Sequence, residues 1–288
     1  MKNLKANTSD GLILSGQLFE SENKENIIIN VHGMAGDTYI DAFYPAMEED
    51  YPVNGWSFLS GENRGTHVVT QFNTTDGNIK NIGDAFEKFE DCIYDIQAWV
   101  DKAKELGYKR IWLQGHSLGP LKVAYYIDNT PNHGIEGLIW LSPSDMIGLV
   151  NSEEDHLDHQ ICLTQAQEFV ANGNGDRLLE HLIFGCYILS ANSYINLFGK
   201  DSKMNIFNYK GEEGWEIVKN INIPVISFTG TNDDGIMSVI EPHEAMRVLE
   251  SKLVNSPKKK TIVYEGADHG FEGFGNDITK EVLEFINS

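Results

Sequence analysis

Basic residues are scarce in this chain: 22 Lys and Arg stand against 43 Asp and Glu over 288 residues, a formal net charge of -21. That balance argues against nucleic acid, whose phosphates need a basic surface, and against anionic membrane surfaces. The one basic run, Lys258-Lys259-Lys260, reads as a solvated turn ahead of a strand. Cysteine is sparse too. Cys92, Cys162 and Cys186 form neither a C-x-x-C pair nor a zinc spacing, and all three lie in apolar or helical-looking segments that suit buried thiols. No apolar run reaches the 18 or more residues of a spanning helix, and the first residues carry no apolar stretch of the secretory kind, so the cytoplasm is the expected compartment. Internal repeats and low-complexity tracts are absent.

The remaining composition, 41% apolar and 23% charged, is ordinary for a globular protein, and the length suits one large domain or a core with an inserted subdomain. Strand-like runs alternate with helical ones. A loosely alternating stretch from Asp10 to Phe19 precedes Ile27-Ile-Ile-Asn-Val31, whose largely β-branched character suits a strand covered on both faces. Residues 39 to 49 read as a short helix and Gly55 to Leu59 as a strand. Phe86, Phe89, Ile93, Ile96, Val100 and Ala103 recur at three or four, which predicts a long amphipathic helix from Gly83 to Leu106, ended by Gly107. Further strands are expected at Ile111 to Gly115, Gly137 to Leu141, Ile223 to Phe228 and Lys260 to Tyr264. Helices are expected at Pro120 to Ile127, Glu212 to Lys219 and Ile278 to Ile286. This is the α/β class with a mostly parallel sheet.

Residues 146 to 210 break the rhythm. They offer two helical-looking stretches, Leu163 to Val170 and Leu178 to Leu189, and no comparable strand. The chain therefore divides into a first core part (1–145), a helical cap insertion (146–210) and a second core part (211–288). Leu178, Leu182, Ile183 and Tyr187 are candidates to line a pocket from above or to fix the cap to the core.

The chemistry concentrates at strand ends. Gly115-His116-Ser117-Leu118-Gly119 follows an apolar run and precedes a helix, the setting in which a G-x-S-x-G turn lifts a serine hydroxyl clear of a sheet. A serine needs a base to take its proton and a carboxylate to orient that base. His269, in a glycine-flanked loop after the last strand, is the candidate base. His116 is expected to point into the sheet, because the elbow projects only Ser117. Asp233 is the first choice of acid, with Asp234 and Asp145 as alternatives, while Asp268 suits a capping role. The backbone N–H groups of Leu118 and of Met34, in His32-Gly33-Met34-Ala35-Gly36, are candidate donors to a developing oxyanion. His32 reads as a residue that fixes its own loop, and Arg64 as a brace formed by salt bridges. The Glu153-to-His159 acidic and histidine cluster reads as solvated surface rather than a metal site.

The order Ser117, Asp233, His269 is that of the α/β-hydrolase solution. With His32-Gly33-Met34-Ala35-Gly36, Asn63-Arg64-Gly65, Gly230-Thr-Asn-Asp233 and Asp268-His269-Gly270-Phe271, the chain resembles the α/β-hydrolase superfamily over nearly its full length, in its lipase, esterase and acylglycerol-lipase-like branches. Pro120 departs from the small residue usual there. The resemblance implies ester hydrolysis through an acyl-enzyme, a small-molecule acyl substrate, and neither metal nor organic cofactor. It moves the choice of acid further toward Asp233. Thioesterase, amidase or peptidase, and acyltransferase readings share the same triad, and a noncatalytic binding protein on this scaffold is the alternative from another class. Neither the substrate nor the oligomeric state is legible.

Overall fold

The computed structural model describes residues 1–39 and 41–288. Two N-terminal strands, β1 (Lys2–Asn7) and β2 (Ile13–Phe19), form a hairpin and lead to β3 (Asn26–Val31), every residue of which is buried. Helix α1 (Tyr44–Val53) and strand β4 (Ser57–Gly61) follow, then a small hairpin of β5 (Gln71–Asn73) and β6 (Ile79–Asn81). Helix α2 (Cys92–Glu105), strand β7 (Arg110–His116), helix α3 (Gly119–Asn129) and strand β8 (Gly137–Leu141) complete the first half. After β8 come three helices, α4 (Met146–Val150), α5 (His156–Ala171) and α6 (Ala191–Phe198). The chain then returns through α7 (Glu216–Asn220), β9 (Val225–Asn232), α8 (Asp234–Met237), α9 (Pro242–Lys252), β10 (Lys259–Asp268) and α10 (Gly275–Ile286).

Eight strands make one sheet in the order β1-β2-β4-β3-β7-β8-β9-β10, antiparallel only where β2 meets β1 and β4. Alternate side chains serve opposite faces. Ile28 of β3, Trp112 of β7, Ile139 of β8 and Phe228 of β9 pack with Met47 and Tyr51 of α1 and Val282 and Phe285 of α10. Ile27, Ile29, Leu113 and Leu138 pack on the other side with residues of α2, α3 and α9. The chain leaves β3 toward β4 on one side and returns to β7 on the other. The sheet order therefore reverses between β3 and β7, and the crevice beyond their carboxyl ends is where open α/β sheets place ligands.

Several sequence expectations need correction. The helix expected from Gly83 begins only at Cys92. Asp84–Phe86 and Phe89–Asp91 are 3₁₀ turns separated by extended backbone at Glu87 and Lys88. The cause is tertiary: Glu87 turns inward to meet the buried ammonium of Lys122 at 2.6 Å. Leu178 to Leu189 is not helical. It is held by the bridges Leu178 to Ser190 and Ile183 to Tyr187 and reverses at Phe184 and Gly185, whose φ values of 52° and 66° end any helix. The helix expected at 39 to 49 is α1, shifted toward the C-terminus, and Ile40 lies outside the described residues. Helix α9 and strands β1, β5 and β6 carried no signal strong enough to be read. Among the described residues no helix is long and apolar enough to cross a membrane.

Candidate active site

Ser117 joins β7 to α3 with φ of 61°, a left-handed backbone that costs a non-glycine residue about 1–3 kcal/mol and persists only where its surroundings enforce it. The neighbouring glycines make that turn possible. A side chain at Gly115 would run into the backbone of Gly119 and Pro120, and one at Gly119 into the carbonyl of Val31. The Ser117 N–H donates to the Leu141 carbonyl at 3.0 Å, which ties the elbow to β8.

The loop after β3 packs directly on this turn. A Cβ at Gly33 would lie 2.8 Å from the Ser117 Cβ and 3.3 Å from the Leu118 nitrogen, so the Met34 and Leu118 segments meet beside the serine. His32 holds the loop, as expected. Its Nε2 accepts from Asn63 N–H at 3.1 Å, so Nδ1 carries the proton and donates to the Gly33 carbonyl at 2.9 Å. Complete burial, reinforced by the Lys122 charge, pushes the His32 imidazole down to about 3, so it stays neutral. Arg64 braces the next loop through Asp95 at 2.9 Å, Asp91 at 3.0 Å and Asp10 at 3.1 Å.

Asp233 and His269 meet. Nδ1 of His269 lies 2.6 Å from Oδ1 of Asp233, and Oδ2 of Asp233 accepts from the Thr229 hydroxyl at 2.8 Å. Burial alone would raise the Asp233 carboxyl, but His269 and the hydroxyl donors outweigh it and hold it below its ordinary value. Burial likewise works to lower the His269 imidazole, and the Asp233 carboxylate reverses this and raises it above its ordinary value. Ser117 and His269 line one cavity of about 450 Å³, together with Met34, Met146, Phe184 and Tyr187.

The fold has counterparts among solved structures. Est1E from Butyrivibrio proteoclasticus, with ferulic acid bound, superposes with a TM-score of 0.67 at 20% identity, covering 99% of this chain and 100% of that one. A Penicillium protein described as an α/β hydrolase, GrgF, gives 0.68 at 16% identity over 99% and 97% of the two chains. A monoacylglycerol lipase of Paleococcus ferrophilus gives 0.63 at 19% over 95% and 98%. The chain has the α/β-hydrolase fold. No family sequence model matches this chain, and no curated protein matches it by sequence.

Within this fold Asp233 is the carboxylate bonded to His269, and Asp234 lies close by, with a carboxylate oxygen within 4.8 Å of both. Asp234 is exposed at the start of α8. Asp145 instead caps α4, accepting from Gly148 N–H at 2.6 Å and from Tyr209 N–H at 3.1 Å, and burial pushes its carboxyl up to about 6. Asp268 caps the turn beyond it through Glu272 N–H at 3.0 Å. Of the four cap residues singled out, Tyr187 lines the cavity, Ile183 is buried, Leu182 is exposed, and Leu178 borders a different, shallow depression beside Phe86.

Cys186 is exposed at the cavity wall rather than buried, because the chain there is a surface turn and not a helix. The Glu153-to-His159 stretch is not merely solvated. Glu154, Asp155 and Asp158 line the cavity, and the buried His159 pairs with the Tyr194 hydroxyl at 2.8 Å. Among the described residues, only Asp233, Asp234 and His269 bring three metal-capable ligand atoms within 4.8 Å. There the Nδ1 proton bonded to Asp233 occupies the position a metal would need.

Sequence reasoning turns His116 into the sheet and misses its contact with the backbone of the base. Nε2 of His116 lies 2.8 Å from the His269 carbonyl. Nothing in the local pattern marks this, because the two residues meet only through the strand order.

Proposed function

We propose that this chain is a carboxylic ester hydrolase acting through a covalent acyl-enzyme. The observation that carries the reading is the shared cavity. A serine on a strained strand-to-helix turn and a histidine bonded to a buried carboxylate line the same 450 Å³ space. In this reading Ser117 Oγ attacks the ester carbonyl as His269 Nε2 takes its proton, and Asp233 stabilises the imidazolium that forms. The N–H groups of Met34 and Leu118 hold the oxygen that becomes negative. Collapse breaks the C–O bond, and His269 returns the proton to the departing alcohol. Water then attacks the acyl-enzyme, giving its proton to His269, and the acid leaves as Ser117 is restored.

The raised His269 pKa suits this cycle, since the ring both accepts and returns a proton near neutrality. Residues 146–210 act as a cap over the carboxyl end of the sheet in the same reading. Its support is that Met146, Leu149, Phe184 and Tyr187 all come from that stretch and face the cavity. The three free thiols suit the reducing cytoplasm.

The deciding experiment compares p-nitrophenyl esters, thioesters and anilides of matched acyl length on the native chain and on Ser117→Ala. Ester turnover should be the fastest and should fall at least about 10³-fold in the variant. A fluorophosphonate should label the native serine only. Labelling that persists in Ser117→Ala would place the nucleophile elsewhere.

A further inference from the structure

The residue next to the nucleophile in sequence reaches the backbone of the candidate base. His116 ends β7 and His269 follows β10, three strands away in the sheet. The side chain of His116 nevertheless spans the sheet's carboxyl edge, with Nε2 2.8 Å from the His269 carbonyl oxygen. A carbonyl only accepts, so Nε2 carries the hydrogen. The Ser142 hydroxyl approaches the same carbonyl at 3.4 Å, a longer and weaker contact. On its other side, Nδ1 of His116 faces Oδ2 of Asp41 at 3.5 Å. Phe43 packs edge-on against the ring at 5.0 Å between centroids, Phe271 lies at 6.5 Å, and the His269 ring itself is 5.0 Å away.

We infer that His116, backed by Asp41, is a positioning residue that fixes the backbone of His269 relative to Ser117, an inference that rests on the hydrolase reading of Ser117, Asp233 and His269. The physical reason lies in where the base is carried. The pairing of β10 with β9 slips between Tyr264 and Asp268 and ends at the Asp268 pair with Asn232, so the base is carried on the first residue past an irregular end of the ladder. His269 keeps 28% of its side chain exposed and stands on that irregular stretch. The bond to Asp233 orients the ring but leaves the distance to the nucleophile dependent on the loop. A donor one residue from Ser117, bonded to the His269 carbonyl, makes the elbow itself the reference point for the base. Oδ2 of Asp41, on the other side of the ring, is placed to pair with Nδ1 when both ring nitrogens carry hydrogen. Burial works to raise the Asp41 carboxyl, yet the charge and hydrogen bond of His116 hold it below its ordinary value, so the carboxylate persists as a partner.

A residue that only fills space would lower stability without changing the base, so the test reads the base directly. The short Nδ1–H bond of His269 to Asp233 should give a far-downfield proton resonance in the native protein. In His116→Leu, kcat for a p-nitrophenyl ester should fall about 10- to 100-fold, with KM changed less than about threefold, the scale of losing a group that orients a functional side chain. The downfield resonance should shift or broaden. His116→Gln, which keeps an N–H donor, should recover most of the loss. Should His116→Leu not fold, Asp41→Asn carries the test, with an expected fall in kcat of about 3- to 10-fold and a moved resonance.

A folded His116→Leu, or in its place a folded Asp41→Asn, with kcat within about twofold of native and an unmoved resonance would overturn the inference. His269→Ala separates the two levels of argument. Full ester turnover in that variant would overturn the reading of His269 as base, and the positioning role with it. An inactive His269→Ala beside fully active His116 variants would overturn the positioning role alone.

Discussion

Oδ1 of Asp233 sits 2.6 Å from Nδ1 of His269, while its sequence neighbour Asp234 is exposed at the first position of α8. Adjacent residues thus have opposite environments, and only one can hold the imidazole in a single tautomer. Asp233→Asn should lower kcat by about 10⁴-fold, because an amide offers the wrong hydrogen-bond pattern to the ring. Asp234→Asn should stay within about threefold of native. Steady-state kinetics on the two variants check this, and the reverse ranking would transfer the role to Asp234.

The raised pKa of His269 sets the direction of the pH dependence. The ring must be neutral to take the serine proton, so kcat/KM should climb as pH rises through a value above the ordinary 6.5. Stability should run the other way. A group whose folded pKa is raised contributes stability fully present below its unfolded value and lost as pH passes up through its folded one. An activity limb centred below 6.5, measured with a neutral ester, would contradict the assignment of His269.

Gly33 and Gly119 should fail differently. A Cβ at Gly33 would sit 2.8 Å from the Ser117 Cβ and 3.0 Å from the His116 carbonyl. Gly33→Ala should therefore fold while kcat falls about 10²-fold or more through a displaced oxyanion loop. At Gly119 the Cβ would meet the Val31 carbonyl of the central strand, which cannot give way. Gly119→Ala should lose roughly 3 kcal/mol or more of stability. Urea unfolding beside kinetics distinguishes the two outcomes.

The turn at Phe184–Tyr187 should control acyl length. Phe184 and Tyr187 pack edge-to-face at 6.4 Å and line the cavity. Tyr187→Ala should shift the preferred p-nitrophenyl ester toward a longer acyl chain by one or more carbons, since it lengthens an apolar wall. A matched exposed change on the core, Val254→Ala, should leave the profile alone. Identical chain-length profiles in both variants would mean that core loops set selectivity.

Charge at the cavity mouth should exclude anions. Glu154, Asp155, Asp158 and Asp234 all line the space, with no Lys or Arg among its lining residues, and Asp158 lies 2.7 Å from Nε2 of His181. A neutral ester should turn over faster than a carboxylate-bearing ester of equal size, and the difference should shrink as added salt shortens the screening length. A carboxylate-bearing ester turned over faster than its neutral counterpart would count against this.

The linear pattern determined which elements could exist and which residues could do chemistry. Short runs rich in apolar residues at β3, β7, β8 and β9 gave strands covered on both faces. The glycines around Ser117 permit a turn no bulkier sequence could close, because a Cβ on Gly115 or Gly119 would collide with neighbouring backbone. Those are local constraints, so they are legible one segment at a time. Where the hydrophobic period and the tertiary contacts disagreed, the contacts won. Residues 84–91 carry a helical period, yet burying Glu87 against Lys122 unwinds them. The apolar spacing from Leu178 to Tyr187 mimics a helix, but the chain reverses at Phe184 and Gly185. The choice of Asp233 over Asp145, the bond from His116 to the His269 carbonyl and the placing of Glu154 beside the cavity all depend on which strand ends become neighbours. That is set by the sheet order, and the sheet order is the outcome of packing across the whole chain rather than of any stretch of it.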